Sequence, residues 1–590
     1  MNFMKTPPIG SEQIAELLRI LQSYKAGKAR TEQRIISSEN WWKLRNTAEE
    51  AMETDLFRKG FVSRSGWLHN VIVSKHADAM DAYPEPVILP REENDREEAS
   101  MLSSIVPCIL EQNRFEETYC DAMWRKMKSG TAVYKIVWDP SKLGGLGDIS
   151  VESVSLLNLF WEPGVTDIQK SRYFFHTELW DKDVLRERYP ELLENGVQGD
   201  CFSGAKFLYD DCVDTENKAT VVEAYYHKFA DGKNTLHYVK FVGDTVLFAT
   251  ENETEETVDE LGNPIPPMAQ TGLYDHGKYP YVFDSLFPIE GSPCGYGYVD
   301  ICRNPQTEID MLKTCFIRNA RIGSIPRYFS RGDGSVNEEE FLDLENPIVH
   351  AAGGVDESAL RPIDHKPIDG SYLSLLEWNV NELRETSGNT EVAVGISKSG
   401  VTAASAIAAL QEASGKGSRD STLSAYRAYA SIVEFCIELI RQFYQVPRSF
   451  RILGRYGADR FVSYTNRGIR PVHQGMEFGQ DMGMRLPVFD IRISAQKKDS
   501  YSRAAQNELA MALFKMGIFD PDKTEQAVAC LEMMSFEGKD DLIQKVLLRS
   551  TPKKECADAM PTESDPVFSR LGNTDSARRF AWEAPMPKEK

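Results

Sequence analysis

The residue types that carry out chemistry are abundant in this chain, so their spacing has to decide between reactions. Nine histidines occur as singletons, with no H-E-x-x-H and no pair at helical i, i+4 spacing; a zinc-hydrolase helix needs both imidazoles on one face. The ten cysteines (108, 120, 201, 212, 294, 302, 315, 436, 530 and 556) contain no C-x-x-C. That spacing supports neither a zinc site nor a disulfide framework and reads as free thiols in a reducing compartment. Gly415-Lys416-Gly417-Ser418 ends like a phosphate-binding loop but lacks the glycine that opens the cradle. Gly295-Tyr296-Gly297 precedes a helix without a βαβ unit around it, and Asp333-Gly334-Ser335 starts like a calcium loop whose ligand spacing then fails. No cofactor and no metal are expected. A carboxylate pair for acid/base work cannot be located among 89 Asp and Glu residues, so an acidic metal-dependent hydrolase or nuclease stays open as the enzymatic alternative.

Charge narrows the partners. Across 590 residues, 68 Lys and Arg face 89 Asp and Glu, a net charge of −21. Such a chain does not wrap nucleic acid tightly, because phosphate contacts need a basic surface; it can still be one that nucleic acid slides past. A single patch runs against the background. Residues 448–470 hold six arginines (448, 451, 455, 460, 467 and 470) against Asp459 alone, interleaved with Phe450, Tyr456, Phe461 and Tyr464. Arginine with aromatics suits a nucleic-acid surface; the other reading is an arginine-rich strand pair that neutralises acids of the same chain or of a neighbouring subunit. A monomeric binding module using this patch is a third functional class. No stretch approaches the ~20 apolar residues of a membrane span, and MNFMKTPPIGSEQ lacks the apolar core of a signal peptide. A cytoplasmic chain without membrane contact is expected.

The elements that must position these residues follow from periodicity. With 42% hydrophobic and 27% charged residues the chain is a folded one of several units. Ser11 opens a helix with Ile14, Leu17, Leu18 and Leu21 on one face; a second runs from Arg30 to Leu56, and a third from Glu97 to Met127, kinked or restarted at Pro107. Tyr83–Pro90 is extended. Alternating runs at 131–138, 149–156, 173–180, 221–229 and 235–248 predict strands, with a turn at Gly144–Asp148 and a solvated acidic loop at Glu251–Glu260. The class is α+β with a mainly antiparallel sheet. Tyr298–Ala320 and Gly370–Glu385 read as helices on either side of an irregular segment, Ile322–Asp369. A polar stretch to Thr402 and an alanine-rich helix, Ala403–Ala413, follow. Leu423, Tyr426, Ala430, Val433, Ile437, Ile440 and Tyr444 then form one apolar stripe over more than five turns. Strands return near Arg451, Phe461 and Phe489–Ile493, and short helices fill Arg503–Leu548 before a mobile tail.

In this order the parts resemble the portal (head–tail connector) proteins of tailed bacteriophages. The likeness is carried by Asp121–Trp138 (DAMWRKMKSGTAVYKIVW) with Asp139-Pro140, by Leu159-Phe160-Trp161-Glu162-Pro163, by Thr402–Gly415 (TAASAIAALQEASG) with Ser418-Arg419-Asp420, and by Asn507-Glu508-Leu509 with Gly517-Ile518-Phe519. It spans most of residues 35–550.

The resemblance implies a ring-forming subunit with an α/β wing, a two-helix stem, a small clip and a helical C-terminal crown. On this chain it places an N-terminal arm at 1–34, the wing at 35–295, stem helices at 296–321 and 370–387, and the clip at 322–369 between them. A tunnel loop at 388–402, a wing return at 403–500, crown helices at 501–550 and a mobile tail at 551–590 complete the division. Implied roles are structural rather than catalytic: a ring, of a dozen subunits in such proteins, at one capsid vertex, through which double-stranded DNA is packaged and ejected. Partners would be the terminase large subunit, a head–tail adaptor, and the major capsid and scaffolding proteins, in the host cytoplasm during assembly and then in the virion. Lys398, Ser399, Thr402 and Lys416 would face DNA in the channel. Arg448, Arg451, Arg455 and Arg460 would form a DNA or inter-subunit patch, and Arg327, Arg331 and Asp333 would dock motor or adaptor. Twelve acidic copies would make a largely repulsive wall, which a few cations at a constriction would modulate with weak contacts.

Overall fold

The computed structural model describes residues 9–44, 63–190, 216–324, 328–330, 337–342, 360–363, 367–389, 416–453 and 459–495, apart from short stretches within these ranges, and isolated residues between 511 and 531. Residues 1–498 form one compact unit. Helix α1 is Ser11–Trp42, a single 32-residue rod where the sequence suggests two helices. Ile14, Leu17, Leu21 and Tyr24 on its first half pack against Phe160, Phe175 and Phe241, while Ile35 belongs to a second, larger core. The expected boundary between arm and wing at residue 34 therefore falls inside a continuous helix. Lys28, buried near its middle, donates to the carbonyls of Leu156 (2.5 Å) and Leu159 (2.6 Å) and tethers α1 to the chain beneath it.

Helix α2 is Trp67–Asp81 and runs into strand β1, Pro84–Pro90. Helix α3, Arg96–Gln112, does not restart at Pro107 but contains it; the break comes at Arg114, which holds φ +52° before helix α4, Phe115–Ser129. Gly130 ends α4 at φ +86°, and a Cβ there would lie 2.1 Å from the Tyr296 backbone, so only glycine allows this helix end and that segment to touch.

Among the described residues the two largest sheets are both antiparallel. In the five-stranded one, β4 (Leu159–Trp161), β5 (Tyr173–Asp181), β6 (Lys218–Ala230), β7 (Lys233–Val242) and β8 (Thr245–Ala249) follow in chain order. Strands β2 (Thr131–Asp139) and β3 (Asp148–Val154) form the other with β9 (Tyr281–Ser285) on the far side of β2. The expected single strand at 235–248 is β7 and β8, divided at Gly243 (φ +58°). The acidic segment after β8 is not wholly solvated: Glu251 is buried and accepts hydrogen bonds from the Tyr226 hydroxyl and from Lys228 Nζ at 2.6 Å. A charge taken out of water requires such partners, and both come from β6.

Helix α5, Tyr298–Ser324, leads to strand β10, Tyr328–Ser330, which pairs antiparallel with β11, Leu360–Pro362, just before helix α6, Ser371–Ser387. That small ladder joins the end of α5 to the start of α6, so the helices run antiparallel, packed side by side. Helix α7, Lys416–Phe443, has the longest apolar face. Its second half matches the expected stripe, with Val433, Ile437, Ile440 and Tyr444 buried, and the burial extends to Tyr429, Ile432, Cys436 and Leu439. Leu423, the first residue of that stripe, is 47% exposed. Strands β12 (Arg448–Leu453) and β13 (Asp459–Tyr464) form a hairpin, and β14 (Phe489–Ala495) returns to pair with β1 across some 400 residues of chain. Mixed helix and antiparallel strand confirm the α+β class. The 501–550 and 551–590 assignments and the Ala403–Ala413 helix lie outside the described residues, save fragments at 511–531.

Candidate functional site

Helix α2 draws together parts of the chain far apart in sequence. Its N-terminus is held by α5: the Gln306 side chain accepts from the Leu68 amide at 3.0 Å, and Asp310 accepts from the Ser65 amide (2.8 Å) and hydroxyl (2.6 Å). Gln306 and Asp310 are buried, so these bonds replace water at donors a helix start leaves unpaired. One helical turn on, α2 holds both flanks of residues 390–415. Ser74 Oγ donates to Asn389 Oδ1 at 3.2 Å, just past the end of α6. Lys75 Nζ donates to Ser418 Oγ at 3.0 Å, in the first turn of α7, and that hydroxyl donates to Asp78 Oδ2 at 2.8 Å. Burial pushes the Lys75 ammonium pKa below its usual value, and Asp78, 3.6 Å away, opposes the shift.

The second turn of α7 is fixed more firmly. Lys126 on α4 and Asp284 on β9 meet at 2.6 Å with both side chains fully buried. Lys126 also donates to the Ser421 carbonyl at 3.1 Å, and Ser424 Oγ donates to Asp284 at 2.7 Å. Burial drives the Lys126 pKa down and Asp284 pulls it back up. A buried pair with these extra bonds is a rigid joint rather than a reactive centre.

The densest titratable cluster is likewise made of buried, paired charges. Glu223 lies 2.8 Å from Lys135, 3.3 Å from His176 and 3.4 Å from Lys240. Burial alone would raise its carboxyl, but the Lys135 charge, the hydrogen bond from His176 and Lys240 hold it well below the usual range. Among the described residues no three His, Cys, Asp or Glu stand close enough to hold a metal ion. A cleft of about 800 Å³ lies between β1 and the α3–α4 elbow, lined by Tyr83, Pro86, Pro107, Phe115 and Tyr429 with Glu111 among its acids; it contains no histidine.

The structure distributes the sequence-predicted residues unevenly. Arg448 is not on a nucleic-acid surface: it is 7% exposed, donates to the carbonyls of Gly147 (2.7 Å) and Leu146 (3.1 Å), and lies 3.7 Å from Asp148. Its guanidinium stacks 4.2 Å over Tyr444 and 5.2 Å from Trp138. Its charge neutralises an acid of its own chain, the alternative weighed for this patch. Arg451 is exposed opposite Phe461 on the outer face of the β12–β13 hairpin, whereas Phe450, Val462 and Tyr464 face inward. Arg460 falls on β13 and Lys416 opens α7. Lys398, Ser399, Thr402, Arg455, Arg327, Arg331 and Asp333 lie outside the described residues. Sequence reasoning missed Lys75, Asp78, Lys126 and Asp284, because isolated charges carry no mark of burial in the sequence.

The chain matches the model of the phage P22-like portal protein family over residues 78–275 and 340–565. It belongs to that family. No curated protein matches it. The portal-family match begins at residue 78, in the last turn of α2, and takes in both ends of the 390–415 segment and the whole of α7, so Asp78, Asn389 and Ser418 of the clasp lie within it while Ser74 and Lys75 precede it. The whole of α5 falls between the two matched stretches. Among the described residues of this portal-family chain no helix is long and apolar enough to cross a membrane.

Proposed function

We propose that the chain is the subunit of a portal ring at one capsid vertex, through which double-stranded DNA is packaged and ejected, and which serves as docking platform for the terminase large subunit and head–tail adaptor. The observation that carries this reading is the family match over both stretches. The antiparallel pair α5–α6, opening into residues 325–370 at one end and anchored on α2 at the other, suits the stem of such a subunit. On this reading residues 1–295 supply arm and wing, 322–369 the clip with Arg327, Arg331 and Asp333 as docking side chains, and 388–402 the tunnel loop. Residues 403–500 are the wing return and 501–550 the crown. Lys398, Ser399, Thr402 and Lys416 offer DNA a few weak contacts in an otherwise acidic channel, where strong phosphate binding would stall translocation. The role is structural, and assembly brings in the major capsid and scaffolding proteins. Negative-stain imaging of the purified protein tests it. Rings of about a dozen subunits with an axial hole wide enough for a duplex are expected; a compact particle without an opening would overturn it.

A further inference from the structure

Helix α6 uses one face to pack on α5, with Leu376, Val380 and Leu383 turned to the core. It carries a second apolar row that no described residue of the subunit covers. Tyr372, Leu375 and Trp378 recur at i, i+3 and i+6 and are 51%, 44% and 60% exposed. A tryptophan and a tyrosine on the solvent face of a helix mark an association surface rather than a solvated one. The charges beside this row are Glu377, Glu382 and Glu385, all exposed.

Helix α5 has its own uncovered row, at 308, 311, 315, 318 and 322, a run of three- and four-residue steps down one face. Met311 (57% exposed) and Ile322 (45%) supply apolar surface, Cys315 is exposed, and Arg318 gives positive charge between Glu308 and the helix end. The two rows differ in sign where they are apolar. Two α6 rows facing each other would set glutamates against glutamates. An α6 row against the α5 row of another copy covers apolar surface on both sides and brings Arg318 toward carboxylates. Contact between unlike faces propagates head to tail and closes into a ring, whereas like-with-like contact stops at a dimer.

We propose that the Tyr372–Leu375–Trp378 face of α6 seats on the Met311–Cys315–Ile322 face of α5 in a second copy of this chain. The proposal rests on the ring reading above and names the surface that closes the ring.

The full chain carrying Leu375→Cys, and separately Trp378→Cys, is exposed to a mild oxidant and run on denaturing gels without reductant. Native Cys315 on the neighbour is then within reach, and a ladder of dimers, trimers and higher multiples is expected. The ladder should vanish when Cys315→Ser is added, which controls for the other thiols. Products that stop at dimers would overturn the head-to-tail contact. Rings seen by microscopy with no Cys315-dependent crosslink in either variant would overturn this interface and leave the ring reading intact. Absence of rings from the unmodified chain would remove both. As an independent arm, Trp378→Glu should lower ring yield at least ten-fold while the melting of the subunit stays unchanged, its side chain being exposed; an undiminished yield would also overturn the proposal.

Discussion

Lys75 and Ser418 are 343 positions apart and meet at 3.0 Å, while the neighbouring Ser74 reaches Asn389. Two adjacent residues of α2 thus fix the distance between the points where the chain leaves α6 and enters α7. Lys75→Met keeps the stem of the side chain but removes the ammonium that orients Ser418. Amide hydrogen exchange in residues 383–389 and 416–424 should rise, ring assembly should persist, and DNA retention in particles should fall. Lys75→Arg should restore part of the protection; unchanged exchange in Lys75→Met would show that the clasp bears no load.

The Lys126–Asp284 pair invites a double-mutant cycle. Removing one partner leaves a buried charge, which costs about 3–5 kcal/mol, so Asp284→Leu or Lys126→Met alone should give a large drop in melting temperature and soluble yield. Lys126→Met combined with Asp284→Leu should recover most of it, because a well-packed apolar pair needs no desolvation of ions. Denaturant melts of the four proteins measure the coupling.

Lys28 sets a pH dependence. Burial pushes its pKa down from 10.5 to about 8, against the pull of Glu32. The unfolded chain keeps this proton up to pH 10.5 while the folded one releases it near 8. Between those values the unfolded state binds more protons, so stability contributed by this site rises with pH, by at most about 1.4 kcal/mol per unit. Below about pH 8 both states are charged and the contribution is flat. Comparing melts of the natural chain and Lys28→Met from pH 7 to 10, the difference should change only in the upper part of the range.

Arg448→Met should destabilise the fold by about 2–4 kcal/mol, since two carbonyls and Asp148 lose a buried donor, and should leave any salt-dependent DNA affinity untouched. Arg451→Ala, at an exposed position, should do the reverse if the outer face of the hairpin meets DNA at all. Filter binding at two salt concentrations beside thermal melts separates the two.

Deleting Ser397–Val401 should leave rings intact and impair DNA packaging or retention. Loss of the ring itself would count against the tunnel-loop assignment.

Local rules made much of this architecture legible before any tertiary information. Period-two alternation located β2, β3 and β5 within a residue or two, missed β4 and β9 and ran β7 and β8 together, while the three-four spacing located α5, α6 and α7, because those patterns are set by one element against one apolar surface. Composition likewise determined the acidic character of the chain and excluded spaced zinc ligands. The tertiary structure decided what depends on a distant partner. Pro107 stays inside α3, and α1 runs unbroken past residue 34, because each is held by packing that a local window does not contain. Leu423 is exposed although it shares a stripe with Val433, for the first turns of α7 bury the face of Ser421, Ala425 and Ala428 instead. Arg448 reads as a nucleic-acid residue beside five other arginines and is instead spent on Asp148 and two carbonyls of the β2–β3 turn, some 300 positions earlier. Lys75, Lys126 and Asp284 look like ordinary charges in sequence. They become anchors only because folding removes them from water and leaves them one another as partners, and that choice of partner is a property of three-dimensional proximity alone.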